Sequence, residues 1–316
     1  MLQEMTLGEF RRVRARIQPY IHVTPVVPSE LANVYLKLEN LQRTHAFKIR
    51  GAFARIREIA EAGDRRTVLT VSAGNHGQAI ARAASVFNLR PVVVVPRSAP
   101  GMKIQAIEHY GAELRIEGAT YDESEAWTLR LAENTRDYAF VSPYNDRLVI
   151  LGQGTLAFEI FEQLPEVTAI LVPIGGGGLA AGIGALTRQL RPSVRVIGVQ
   201  AEASAAIYHS LKAGRVVSVP DLPSIADGIA GNVDPRSITF PIVQQCVDDV
   251  VLVSEQEIRS AMDHLVHREK LVVEGAAAAG FAALLHGKVR VSGPTVVLIT
   301  GGNLDFEVLW KVDGRG

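Results

Sequence analysis

The sequence has one cysteine, Cys246, so no internal disulfide can form and a secreted, disulfide-stapled scaffold is excluded. The N-terminal stretch MLQEMTLGEFRRVRARI lacks the apolar core of a secretory signal, and the expected compartment is the cytoplasm. Net charge is lacking as well: 33 Lys plus Arg balance 33 Asp plus Glu. That balance provides no electrostatic footprint for nucleic acid or an anionic membrane, so the expected partners are small molecules or proteins. Aromatic residues are sparse at 6%, but 47% apolar against 21% charged residues excludes a disordered chain. One long uncharged run exists, the 18 residues 169–186. Pro173 and the glycines at 175–178 break any spanning helix there, so it reads as a buried strand, a turn and a helix.

Against these absences stands a regular alternation. Short β-branched runs fall at 35–39, 67–71, 91–95, 113–117, 139–141, 169–174, 195–200, 250–253 and 295–300. Between them, 49–62, 76–87, 102–110, 120–134, 152–163 and 255–269 carry apolar residues at helical spacing. Runs such as VVVV and AILVPI are apolar on both faces, as parallel strands covered by helices on both sides require. The fold class is therefore α/β, doubly wound. With 316 residues, one large or two modest domains are expected. No linker separates two halves, so the chain of a two-domain protein must cross between domains more than once. Ligands of such folds bind at the C-terminal ends of strands or in the cleft between domains.

Four segments carry candidate chemistry. In Thr44-His45-Ala46-Phe47-Lys48-Ile49-Arg50-Gly51-Ala52, Lys48 opens a helix, where the macrodipole disfavours a cation unless its amine is neutralised or used. Solvated, it is ordinary; desolvated, it is a Schiff-base lysine, because imine chemistry needs a pKa below the usual 10.4 or so. In Val71-Ser72-Ala73-Gly74-Asn75-His76-Gly77, a strand passes through small residues into a helix, which makes an anion site suited to a carboxylate or phosphate. A plain helix cap at Ser72 or Asn75 and a structural His76 are the simpler alternatives. The third, Pro173-Ile174-Gly175-Gly176-Gly177-Gly178-Leu179-Ala180, allows close backbone approach to a phosphate. Gly175, Gly177 and Ala180 also match G-x-G-x-x-A with Glu202 after the next strand, so a dinucleotide stays open. The fourth, Ile299-Thr300-Gly301-Gly302-Asn303, puts a hydroxyl at a strand end; a simple turn after an edge strand is the alternative. Glu274, ahead of the small-residue run 275–280, reads equally as a helix-start acid or a site carboxylate. His264, His267 and Glu269 read as a solvated helix face rather than a transition-metal site.

Together, in this order, these segments resemble the fold-type II pyridoxal-phosphate enzymes, which have a tryptophan-synthase-β-like fold, and within them the threonine/serine dehydratase and serine racemase group. Gly152-Gln153-Gly154-Thr155 and Ala226-Asp227-Gly228 add to the likeness, which spans most of the chain. The resemblance implies two parallel-sheet domains with helices on both faces: residues 1–66 and 145–316 as the large cofactor domain, and 67–144 as a small substrate-closing domain. It implies that Lys48 joins the cofactor aldehyde as a Schiff base and later moves the substrate α-proton, with Phe47 packed on the ring. Asn75 would bond the cofactor's phenolic oxygen, Gly175, Gly176, Gly177 and Gly178 would cradle its phosphate, and Thr300 would face the pyridine nitrogen. Ser72, Ala73, Gly74, Asn75 and His76 would ring the substrate carboxylate.

Departures from the family pattern shape the rest. Racemases of the group place a serine where Ala73 stands, and a methyl group moves no proton, so elimination is expected rather than racemisation. A divalent cation in some members is held by a glutamate, a carbonyl and an aspartate; Glu202 and Ala206 match the first two, but Tyr208 stands in the third place, so a metal is not the expectation and a cation at Glu202 and Ala206 stays open as the weaker alternative. The chain stops soon after ITGGN, and a C-terminal regulatory domain is not expected. The expectation is a pyridoxal 5'-phosphate dependent ammonia-lyase converting a 3-hydroxy-L-amino acid of serine or threonine type to a 2-oxo acid and ammonia. The family resemblance adds a homodimer or higher homo-oligomer. A 3-hydroxyaspartate or phenylserine dehydratase, with Arg147 a candidate for a second carboxylate, stays open, as do a serine racemase, a nicotinamide oxidoreductase and a silent amino-acid-binding protein.

Overall fold

Aliphatic runs that were apolar on both faces become strands covered on both sides in the computed structural model, which describes residues 5–99, 101–220 and 222–304. Along the chain come β1 (Val26–Pro28), β2 (Val34–Leu38), β3 (Thr67–Val71), β4 (Pro91–Val95), β5 (Glu113–Ile116) and β6 (Tyr138–Phe140). They are followed by β7 (Ala169–Pro173), β8 (Arg195–Ala201), β9 (Asp249–Val253) and β10 (Thr295–Ile299). Two sheets result, one of six strands ordered β1-β2-β10-β7-β8-β9 and one of four ordered β5-β4-β3-β6. The smaller sheet draws only on residues between 67 and 140; the larger takes strands from both sides of that stretch, so the chain leaves one unit and returns to it.

Every pairing is parallel except β1 with β2, which is antiparallel. The two parallel sheets are as the fold class expects, with β1 added at one edge. Only three residues long and ending on Pro28, β1 gives almost no periodic signal, and its edge position is where a strand tolerates proline. A correction concerns 152–163, expected as one helix. The chain forms two, Arg147–Gly154 and Leu156–Gln163, with Thr155 Oγ1 donating to the Gly152 carbonyl at 2.7 Å between them. The helix Gly178–Leu190 crosses so closely here that a Cβ on Gly154 would lie 2.6 Å from the Gly182 carbonyl oxygen. The Gly-Gln-Gly-Thr motif is thus a packing device.

The run GAAAAGFAALL is the helix Gly275–Leu285, almost wholly buried on the larger sheet, where small side chains let it approach strands β7 to β10. It brings Glu274, its N-cap residue, to the C-terminal ends of those strands. No helix of the described residues is long and apolar enough to cross a membrane.

Candidate active site

Strand C-termini from both sheets meet at one cavity of about 570 Å³. From the smaller sheet β3 ends at Val71, runs through Ser72, Ala73 and Gly74, and enters the helix Asn75–Val86. Gly74 is the cap residue and no side chain caps that helix, so its first-turn N–H groups have no acceptor of their own. From the larger sheet β7 ends at Pro173 and the four glycines lead into the helix Gly178–Leu190, also uncapped by any side chain. β10 lies in the middle of its sheet, so the edge-strand alternative for Thr300 falls away. The Phe47 N–H donates to the Thr300 carbonyl at 3.0 Å, which ties the lysine loop to the end of β10.

Phe47, Lys48, Ser72, Ala73, Gly74, Asn75, His76, Gly175, Gly176, Gly177, Gly178 and Thr300 all line this cavity. Lys48 is half-buried and opens onto it; Nζ donates to the Pro143 carbonyl at 2.9 Å and lies 5.2 Å from the centroid of the Phe47 ring. Desolvation pushes its ammonium down to about 8, against the opposing charge of Glu274. Glu274 is itself buried and is pushed up to about 7 by desolvation and by Asp227, with the Asn75 hydrogen bond resisting. Asn75 is held on both sides: Nδ2 donates to Glu274 Oε1 at 2.7 Å, and Oδ1 accepts from Asn303 Nδ2 at 2.8 Å. Those two bonds fix which end of the amide faces which neighbour.

His76 is buried, with Nε2 3.3 Å from the Val141 carbonyl and no partner for Nδ1. Burial, reinforced by Lys48, pushes its imidazole down to about 3, so it offers no cation to an anion near neutral pH. The turn's attraction for a carboxylate must come from its backbone N–H groups. Glu274, Tyr144, Asn303, Lys103 and Asp227 also line the cavity. Motif reading had left Glu274 undecided and gave Tyr144, Asn303, Lys103 and Asp227 no individual role. Their sequence neighbourhoods carried a weak signal, since Asn303 closes ITGGN and Asp227 sits in the Ala-Asp-Gly triplet.

Several candidates lie elsewhere. Arg147 pairs with Glu9 and is not among the cavity residues, as a structural arginine would be, which ends the alternative of a second substrate carboxylate bound there. Glu202 is exposed and outside the cavity, so the acid of a dinucleotide fingerprint is missing from the site. Tyr208, in the place of the expected aspartate, accepts from Lys212 Nζ at 2.5 Å, and that ammonium stands 4.1 Å over its ring. The position supplies no anionic ligand, which leaves only the Ala206 carbonyl beside Glu202. Residues around Glu202 therefore do not fit a divalent cation. No group of three or more His, Cys, Asp or Glu side chains converges as a metal site among the described residues. His267 pairs with Asp263, and Glu269 accepts from the Glu30 N–H at 3.0 Å, as a structural helix end does.

The cavity fits pyridoxal phosphate on its own geometry. A cradle without side chains faces it: a Cβ on Gly176 would stand 2.3 Å from Cγ of Tyr144, and Gly177 has φ of 86°. A helix N-terminus follows that cradle, as phosphate binding favours. A desolvated lysine shares the same cavity, and Thr300 is a neutral hydroxyl at the end of β10.

Comparison with known proteins agrees. The signature of the family described as "Pyridoxal-phosphate dependent enzyme" matches residues 17–302. An L-threonine ammonia-lyase of Thermotoga maritima is 40% identical over 319 residues, covering 99% of this chain and 79% of that protein. An L-threonine ammonia-lyase of Geobacter sulfurreducens is 45% identical over 284 residues, covering 90% of this chain and 70% of that protein. Among solved structures, maize serine racemase superposes with a TM-score of 0.89 at 32% identity, over 98% of this chain and 97% of that one. The nicotinamide alternative ends here.

Proposed function

The chain belongs to the pyridoxal-phosphate dependent enzyme family, and from that premise we propose that it eliminates water from a 3-hydroxy-L-amino acid of serine or threonine type, the resulting enamine taking water back as it gives a 2-oxo acid and ammonia. When bound, the cofactor supplies the electron-withdrawing group that stabilises negative charge at the substrate α-carbon. Gly175, Gly176, Gly177 and Gly178 would hold its phosphate, Asn75 its phenolic oxygen, Phe47 its ring and Thr300 its ring nitrogen. Ser72, Ala73, Gly74, Asn75 and His76 bind the substrate carboxylate through the uncapped helix start.

Lys48 does the proton work. A pKa near 8 leaves a usable fraction of neutral amine at Nζ close to neutral pH, which suits a base for the α-proton. Ala73 lines the same cavity and carries only a methyl group, so that position neither delivers nor removes a proton. The β-hydroxyl leaves as water, carrying off a proton equivalent to the one removed from the α-carbon, and the released enamine is hydrolysed by water to a 2-oxo acid and ammonia. Support for elimination rather than racemisation comes from Ala73, and for threonine or serine from the names of the similar proteins. The observation that carries the proposal is Lys48: a desolvated amine beside a cradle of four glycines. Residues 67–144 act as the unit that closes over substrate, and the working form is a cytoplasmic homodimer or larger homo-oligomer, which light scattering of the purified protein checks.

Replacing Lys48 by Ala should abolish ammonia release from threonine and serine. It should also remove the visible absorbance that borohydride bleaches in the protein loaded with cofactor. A Lys48→Ala protein that releases ammonia at the full rate would end the proposal.

A further inference from the structure

The cavity is short of free positive charge. Lysine or arginine side chains lining it are two among the described residues, Lys48 and Lys103. Lys48 is the amine at the cofactor cradle. Lys103, on the helix Gly101–His109 beside the smaller sheet, donates from Nζ to Asp227 Oδ2. Asp227 opens the short turn Asp227–Ile229 on the opposite wall. That turn is part of the site: Ile229 Cα lies 3.0 Å from where a Cβ on Gly175 would stand, and Glu274 Oε1 lies 3.9 Å from the corresponding point on Gly228. The pair therefore bridges the two walls next to the cofactor cradle, with the Lys103 side chain 22% exposed and Asp227 59%.

An ammonium already holding a carboxylate presents little net charge to a second one, and the carboxylate beside it repels an approaching anion. Resting on the proposed activity and extending it to the choice of substrate, we propose that Asp227 makes this site select uncharged side chains. By neutralising Lys103 it excludes 3-hydroxy dicarboxylic amino acids such as 3-hydroxyaspartate. Serine and threonine carry one carboxylate, for which the backbone N–H groups of the turn at 72–76 suffice. A second carboxylate would need Lys103, and Lys103 is taken.

Asp227→Asn keeps the shape of the side chain and removes its charge, which leaves Lys103 available for a charge-assisted hydrogen bond to a dicarboxylate. In the holoenzyme, the ratio of kcat/KM for 3-hydroxyaspartate to that for threonine should rise at least tenfold in Asp227→Asn. Adding Lys103→Met should return the ratio toward its starting value. Calorimetric titration with malonate needs no turnover and reads the same effect: its Kd should fall at least tenfold in Asp227→Asn and recover in the double variant. An unchanged ratio together with an unchanged malonate Kd would overturn the proposal and leave the pair as a bridge between the two walls. Failure of the proposed activity looks different, since the unaltered holoenzyme would then release no ammonia from any 3-hydroxy amino acid, and the malonate titrations would still decide the role of Asp227.

Discussion

At Gly176 one hydrogen atom decides whether a phosphate cradle exists. A methyl there would stand 2.3 Å from Cγ, 2.5 Å from Cδ1 and 2.7 Å from Cδ2 of Tyr144, and the ring cannot step aside freely because its hydroxyl accepts from the Asp234 N–H at 3.1 Å. Gly176→Ala should therefore push the loop or the ring out of place and weaken cofactor binding at least tenfold, as read by titrating apoprotein with pyridoxal phosphate and following visible absorbance. Affinity within twofold of the unaltered protein would show that the loop tolerates the methyl. Residues such as Gly176 and Lys48 were legible in the sequence because strand, small-residue turn and helix follow one another within a dozen positions, and the local order itself predicts backbone approach. Glu274 was not, because its meaning depends on Asn75, 199 positions away, and on burial that pushes its carboxyl up to about 7. His76 shows the same limit, since sequence supplies an imidazole but only its surroundings decide that it stays neutral.

Between elements, the largest unadvertised feature is a buried ionic cluster behind the lysine loop. Strand β2 contributes Lys37, the turn after it Glu39, the helix Ile49–Glu61 Arg50, and the helix Leu156–Gln163 Glu159; all four side chains are at most 3% exposed. Arg50 Nη1 donates to Glu159 Oε1 at 2.6 Å, and its Nε and Nη2 grip Glu39 Oε2 and Oε1 at 2.8 Å each. Lys37 Nζ donates to Glu159 Oε2 and to the Thr24 carbonyl, both at 2.6 Å. Although burial would raise the Glu39 carboxyl, the Arg50 guanidinium holds it below its usual range. Removing Arg50 strands the Glu39 carboxylate in the core, while Glu159 keeps Lys37, so Arg50→Met should cost about 3–5 kcal/mol of stability, read as a lowered midpoint in urea with the slope unchanged. A loss under about 1 kcal/mol would mean that water reaches the cluster. None of this was visible in sequence, where Lys37 and Glu39 belonged to a strand run, Arg50 to the lysine motif and Glu159 to a helix face. Element type was easier: most strands and helices followed from periodicity, whereas β1 and the break at Thr155 did not, because one is three residues long and the other is imposed by a crossing helix.

Across the whole molecule, alternation of strands and helices announced a doubly wound α/β chain, but not that β10 inserts between β2 and β7 or that four strands separate into their own sheet. The place of β10 depends on distant pairings such as Thr295 with Val34, and the smaller sheet on nearer ones such as Thr67 with Tyr138. They place two walls around one cavity, and Glu125 reports on how the walls meet. It lies on the helix Tyr121–Asn134 beside the smaller sheet, accepts from the Tyr121 hydroxyl at 3.3 Å, and is pushed up to about 7, first by desolvation and then by Asp122 and by Asp234 from the other side of the cleft. A carboxyl raised in the folded state keeps its proton at pH values where the unfolded chain has already released it. Its favourable contribution is therefore complete below the usual carboxyl value of 4.5 and is lost as the pH climbs through about 7. Glu125→Gln preserves the acceptor for Tyr121 and removes the titration, so the variant's melting temperature minus that of the unaltered protein should be small at pH 4.5 and distinctly positive at pH 8. Other buried groups, Glu274 and His76 among them, titrate in both proteins and cancel in the difference. A difference flat across that range would mean that Glu125 is solvated, and with it that the two walls do not close on each other at Tyr121 and Asp234 in solution.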